Sequence, residues 1–392
     1  MTASETYRQF DGQWGENARL AWDAIEGKAT RGIPSWLLNV MEWSALEALA
    51  GAPAGRYPAH PVAVYLAFQQ RIGTSIVDQW IPENPLSIRS HGYEEPAARG
   101  ATTGAARIER DGLVIDSPEA AVEHMERFLF PQLAAQCRDF DAAADDRVAR
   151  LIEKEVRVQQ LFGASMLKAP YDGFQSFPGF LYYAYGYENY FMAYGLYPDV
   201  MERCFRLQGE LGEKISRVAA RAIREGGLPP MVRLDHDMAD SRGTLVDVKS
   251  LDRIWFPHFA RAIRPLLDAG VKLIWHCDGN LMAMVPRLLD VGLAGFQGFQ
   301  YEDGMDYEKI CRMKTREGRE QLIIAGVSVT RTLPHGTPDD VRRELQWLVE
   351  HGPRTGLLLA ASSSIAPGTP LENIRALVEG LAYYRAYGRG SA

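Results

Sequence analysis

The sequence predicts an α/β fold: a (β/α)8 TIM barrel with an N-terminal helical extension and an inserted loop or hairpin. Three observations carry that expectation. In the C-terminal half, five short apolar runs alternate with amphipathic stretches. Three more runs of the same kind precede them, which brings the count to eight. Apolar runs of roughly four to seven residues separated by amphipathic helices indicate βα units and a parallel sheet. The chain is expected to be one domain over residues 1–392, with residues 1–30 as the extension and 82–116 as the insertion.

In chain order, a helix is expected over 17–27, then a first strand in "GIPSWLLNV" and a second in "TSIVDQWI". Residues 82–116 are rich in Gly, Pro, Ala and charge and read as the insertion. Helical patterns cover 117–140 and 145–161, "GASMLKAPY" supplies the third strand, and a long helix covers 197–225. The remaining strands lie in "PPMVRLDHD", "VKLIWHCD", "LAGFQGFQYE", "QLIIAGVS" and "GLLLAASSS". Helices over 251–268, 281–291, 306–316 and 338–350 separate them, and one over 371–384 closes the chain. "GTPDDVRRE" and "GTPLENIRA" each place Thr before Pro at a helix start, with acidic residues in the first turn.

Of the 392 residues, 46% are hydrophobic and 24% are charged, as expected of a globular enzyme with a large core. A formal net charge of −7 disfavours nucleic acid or an anionic membrane as partner. The opening "MTASETYRQFDGQW" lacks a basic-then-apolar leader, and no apolar run reaches the roughly 18 residues of a membrane span. A cytoplasmic protein is expected. Cys137, Cys204, Cys277 and Cys311 form no CxxC pair, so neither a disulfide framework nor a thiolate zinc cluster is expected. Cys137 and Cys204, in helical patterns, read as small core residues.

In such a barrel the active site lies at the C-terminal ends of the strands. Those ends carry Asp78; Asp235, His236, Asp237 and Asp240; His276, Asp278 and Asn280; Glu302 and Asp303; and Ser362, Ser363 and Ser364. Each taken alone is as well explained as a strand-end cap; as a set aimed at one mouth they read as a site. His276 is the leading candidate, since imidazole works as acid, base or metal ligand near neutral pH. Strand alternation sends Cys277 to the other side, toward the outer helices, and returns Asp278 to that of His276. The aromatic stretch 174–197, with Tyr182, Tyr183 and Tyr185, offers a wall for a flat ligand, or a helix packed on the barrel.

Read together, "HCDGN", "YEDGMD", "GTPDDV" and "GTPLENIRALVEG" resemble the uroporphyrinogen decarboxylase superfamily, which includes the cobalamin-linked methyltransferases. "PGF…GYENYF…LYPDVM" and "DHDMADSRGTLV" add weaker matches, and the likeness runs from about Trp22 to Tyr384, strongest after Pro230. The resemblance implies a barrel whose mouth takes a tetrapyrrole or a small methyl donor, with homodimers common. Its methyltransferase branch holds zinc through His-x-Cys and a later Cys. Here His276 matches, but Asp278 and Ser363 stand at the cysteine positions, so a thiolate site is not expected. A harder divalent-metal site from His236, Asp237, His276, Asp278 and Glu302 stays open.

The decarboxylase branch implies an N-terminal arginine-rich loop for a polycarboxylate, whereas "PSWLLNVMEWSALEALAG" has no arginine. Asp78 is the match to that branch's aspartate. The leading expectation is methyl transfer between a small methylated substrate and a corrinoid or thiol acceptor. His276, Asp278, Asp237 and Glu302 are its catalytic candidates; Asp78, Tyr182, Tyr183, Tyr185, Asn280 and Ser363 are its substrate-binding ones. A corrinoid protein and a second copy of the chain are the expected partners. A decarboxylase acting on a porphyrinogen or smaller acid, and a non-catalytic tetrapyrrole or small-ligand carrier, are the alternatives.

Overall fold

All eight apolar runs take up extended, parallel pairing in a computed structural model that describes residues 6–82 and 108–390. The named strands are β1 (Ile76–Val77), β2 (Glu109–Arg110), β3 (Leu113–Val114), β4 (Leu167–Lys168), β5 (Met231–Asp235), β6 (Ala239–Asp240), β7 (Gly243–Thr244), β8 (Lys272–His276), β9 (Gly295–Gln297), β10 (Leu322–Val327) and β11 (Leu357–Ala361). The architecture is mixed α/β. Its main sheet is five parallel strands in the order β11-β10-β9-β8-β5. The first run joins that sheet to the parallel pair β1-β4 by isolated bridges, Ser35 to Leu359 and Trp36 to Ile76. Among the described residues no ladder joins β4 to β5.

Burial explains the strand compositions. All six residues of β10, Leu-Ile-Ile-Ala-Gly-Val, are buried, as a parallel strand covered on both faces requires. On β8 the faces divide. Trp275 packs among Phe177, Trp255 and Phe259 on the outer side, while His276, the next residue, lines an inner cavity. The Trp255 indole N–H finds the Pro178 carbonyl at 2.8 Å, so its burial leaves no donor unpaired.

The N-terminal extension is tied down by helix Glu16–Ile25 and by Tyr7, whose hydroxyl donates to the Lys168 carbonyl at 2.8 Å. Of the expected insertion, residues 83–107 lie outside the described residues. Its remaining part contains an antiparallel hairpin of β2 and β3, turned by Asp111 and Gly112 at φ +49° and +78°.

The helices match the sequence pattern with informative departures. Ser117 caps a helix that widens into a π-turn over Met125–Leu129 before resuming at Phe130–Asp139, where Pro131 has no N–H to give. The stretch expected as one helix over 251–268 is two, Val248–Ile254 and Phe256–Asp268, parted at Trp255 just before Pro257. Thr337 caps the helix Pro338–His351 as its place before Pro338 suggests, and does so in a capping box with Asp340. Thr369 does not cap: Pro370 takes that position and the Thr369 hydroxyl donates to the Ala366 carbonyl. Helices Trp43–Ala50 and Pro61–Arg71 were not anticipated. No helix among the described residues is long and apolar enough to cross a membrane.

Candidate active site

Strand register builds the site. Asp235 pairs with His276, and His276 with Gln297, so three polar side chains stand level at the carboxyl ends of β5, β8 and β9. Two residues before Asp235, on the same face of β5, comes Arg233. It is 4% exposed, and its Nε donates to Asp78 Oδ2 at 2.7 Å and its Nη1 to Asp235 Oδ2 at 2.8 Å. The guanidinium lies 4.8 Å over the Tyr171 ring, whose hydroxyl also donates to Asp235 Oδ2 at 2.8 Å. Burial alone would raise the Asp235 carboxyl, but His276 and Arg233 outweigh it and hold it below the usual carboxylate range. Asp235 Oδ1 lies 3.9 Å from His276 Nε2.

These groups open into a cavity of about 300 Å³, lined among others by Trp36, Gln79, Arg233, Asp235, His276 and Ser363. Beside it, one ligand atom each from Asp237, His276 and Asp278 lies within 4.8 Å of the others. The Asp278 N–H donates to Asp237 Oδ1 at 2.9 Å, which fixes the two acids relative to each other. Burial pushes the Asp278 carboxyl up, with the negative charges of Asp237 and Asp235 adding to it and His276 opposing. Asp278 Oδ1 and His276 Nδ1 are buried without a hydrogen-bond partner, a cost that a bound ligand would relieve.

Two glycines make the geometry possible. At Gly298, φ is +85° and a Cβ would stand 2.5 Å from His276 Nδ1, so the imidazole occupies the space a side chain would take. Gly279, in "HCDGN", has φ +87° and a Cβ there would fall 2.7 Å from the Asp240 carbonyl oxygen. The loop after β8 thus packs onto that after β5, and the Asn280 N–H donates to the same carbonyl.

Of the five residues expected as metal ligands, three come together. His236 faces elsewhere: its Nε2 accepts the Phe180 N–H at 2.8 Å, and burial pushes its pKa down to about 4. Glu302 is fastened to Ser328 Oγ at 2.6 Å and to Thr330, and joins no ligand group among the described residues. Asp78 is spent on Arg233 and on the Gln79 N–H. Tyr182 reaches the rim, donating to the Asp237 carbonyl at 3.3 Å; Tyr183 is exposed. Tyr185 is buried and shares a hydrogen bond with His124, so it belongs to the packing beneath the rim. Asn280 turns its own loop, Oδ1 accepting the Met282 N–H, while Ser363 Oγ donates to Asp278 Oδ2 at 3.5 Å. Cys277 is buried, its Sγ receiving the Met238 N–H.

Sequence reasoning gave no role to Arg233, Tyr171 or Gln297, and named Asp235 only among the polar strand ends. The one signal was an arginine inside the apolar run "MVRLD", which a buried strand tolerates only with partners. A second cleft, of about 430 Å³, lies at the amino-terminal ends of the strands near Lys272 and Leu322; it gathers no histidine or aspartate.

Residues 200–383 match the family model described as Uroporphyrinogen decarboxylase (URO-D). No curated protein matches the chain. Among the solved structures that match is one described as "methyltransferase from Methanosarcina mazei", at 18% identity and a TM-score of 0.55 over 94% of this chain and 98% of that one. At that identity the likeness is one of fold.

Proposed function

We propose that the chain is a divergent member of the uroporphyrinogen decarboxylase (URO-D) superfamily, on the match over residues 200–383 and the shared fold, and that it is a methyl-transfer enzyme. It moves a methyl group from a small methylated substrate to a corrinoid or thiol acceptor, with a divalent metal held by Asp237, His276 and Asp278. The observation that carries this reading is the convergence of those three side chains beside the cavity, with His276 Nδ1 and Asp278 Oδ1 buried and unpartnered. One nitrogen and two carboxylate donors suit zinc, manganese, iron or cobalt better than a softer ion. The eight parallel segments are read as a (β/α)8 barrel with side chains rather than a ladder between β4 and β5, forming one domain, in the cytoplasm, with a corrinoid-carrying protein as partner.

When bound, a divalent cation would act as a Lewis acid on the reacting heteroatom. The chain's own groups supply the rest. Asp235, kept ionised by Arg233 and Tyr171, lies 3.9 Å from His276 Nε2 and orients the ring so that the unpartnered Nδ1 is the nitrogen a metal would take. As an electron pair of the corrinoid or thiolate acceptor forms the new bond to the methyl group, the pair of the broken bond stays on the heteroatom, which then takes a proton from solvent. Asp237, accepting the Asp278 N–H, keeps the two carboxylates in register. Glu302, bound to Ser328 and Thr330, holds the loops after β9 and β10 and has no part in this scheme.

The decarboxylase alternative loses ground on one observation. Asp78, the residue matched to that branch's aspartate, has one oxygen on Arg233 and the other on a backbone N–H. It is not free to stabilise a substrate nitrogen. A cavity of about 300 Å³ also stands at the small end of ligand sites, which span roughly 300–1,000 Å³. The test is elemental analysis of protein purified without chelators, and then corrinoid spectra with a panel of methylated donors. The reading expects about one divalent metal per chain and a donor-dependent spectral change. Metal-free protein that still converts an acid to CO2 would overturn it.

A further inference from the structure

Arg233 is committed on two of its three nitrogens. Nε serves Asp78 and Nη1 serves Asp235, with Gln297 Oε1 a distant third contact at 3.5 Å; Nη2 makes no hydrogen bond to the described residues. The side chain is 5% exposed, and the wall it forms belongs to the cavity of about 300 Å³. Nη2 is not among the buried polar atoms left without a partner; it keeps access to the open space of the cavity, where a ligand's acceptor would take it up. We infer that Arg233 Nη2 is the substrate-orienting donor of this cavity and that it takes an uncharged acceptor oxygen, such as a carbonyl or methoxy group, on a small planar or compact ligand. The inference rests on the reading of this cavity as the substrate site.

Charge selects the uncharged ligand. Arg233 already faces two carboxylates, Asp78 and Asp235, and Asp237 and Asp278 stand close by. A carboxylate ligand would bring a third negative group onto one guanidinium, and like charges at such range in a poorly hydrated cavity repel strongly. A cationic ligand would meet favourable carboxylates but offers nothing that Nη2 can donate to. A neutral oxygen satisfies the free N–H groups without disturbing the balance. Gln79 and Ser363, on the same wall, add polar contacts for the remainder of such a molecule.

Benzamide, benzoate and benzamidinium share one planar frame in three charge states, and calorimetric titration of the wild-type chain with each is the test. Benzamide is expected to bind most tightly. Benzoate or benzamidinium binding as tightly as benzamide, or none of the three binding at all, overturns the inference. Arg233→Lys keeps the positive charge for the aspartates but loses the planar fork, so benzamide affinity should fall about tenfold with metal content unchanged. Undiminished benzamide affinity in a folded Arg233→Lys chain also overturns it; should that variant not fold, the wild-type order decides. The two readings fail separately: protein without metal that ranks the probes as expected retires the metal scheme alone, and metal-loaded protein that prefers benzoate retires this one alone.

Discussion

Arg233 Nε and Asp78 Oδ2 are 2.7 Å apart, with both side chains at most 5% exposed, so β5 is locked to the segment after β1 by a buried charge pair. Removing one partner strands the other. Asp78→Asn should cost about 3–5 kcal/mol in urea unfolding, the range for breaking a buried pair from one side. Arg206→Ala, which removes an exposed pair to Glu210, should cost no more than about 1 kcal/mol. Similar losses from the two variants would show that the buried pair is solvated in solution.

Gly298→Ala attacks His276 without touching it. The new Cβ would stand 2.5 Å from Nδ1, and φ of +85° strains any L side chain. The variant should lose most of its bound metal and its activity, with a stability loss of roughly 1–2 kcal/mol. Full metal occupancy in this variant would mean that the imidazole has another resting place.

His276→Ala and Asp278→Asn should each lower metal content severalfold in elemental analysis, and dialysis against a chelator should do the same to the wild type. Cys277→Ser should leave occupancy unchanged, because its Sγ is buried against the Met238 N–H. Metal lost from Cys277→Ser but retained in Asp278→Asn would reverse the assignment of ligands.

Glu344 gives a pH dependence with a definite sign. Burial lifts its carboxyl to about 7, against the bond it accepts from the Ser328 N–H at 2.7 Å. Between the unfolded value near 4.3 and about 7, the folded chain holds a proton that the unfolded chain has released. Stability from this group therefore falls as pH rises through that window. Glu344→Gln keeps an acceptor for Ser328 and should raise stability at pH 8 by about 2–3 kcal/mol while changing little at pH 4. Equal effects at both pH values would place the carboxyl in water.

The sequence was legible where one residue type has one physical use. "LIIAG", short and flanked by turn signals, reads as a covered strand, and Thr337 before Pro338 with acids behind it reads as a helix start; the structure has both. His276 and Asp278 fell on one side because strand alternation is rigid. The failures arise where partners are distant in sequence. Nothing near His236 or Glu302 announces Phe180 or Ser328, which hold His236 Nε2 and Glu302 Oε1 away from the other candidates. Arg233 was hidden for the same reason: its partner Asp78 lies 155 residues away. Thr369 resembled Thr337 in its neighbours, yet the chain enters the helix one residue later, at Pro370.

Among the described residues the backbone makes no ladder between β4 and β5, and what spans the gap is side chain: Tyr171 and Gln175 reach Asp235, while Arg233 ties β5 past β4 to Asp78, just after β1. Those same contacts hold the cavity wall. Opening this seam would cost fewer main-chain bonds than parting any two strands of the main sheet, so in amide exchange the β4 and β5 flank should loosen first. A ligand that grips Arg233 would act there as a clasp, and its binding should slow exchange along a line well beyond its own footprint.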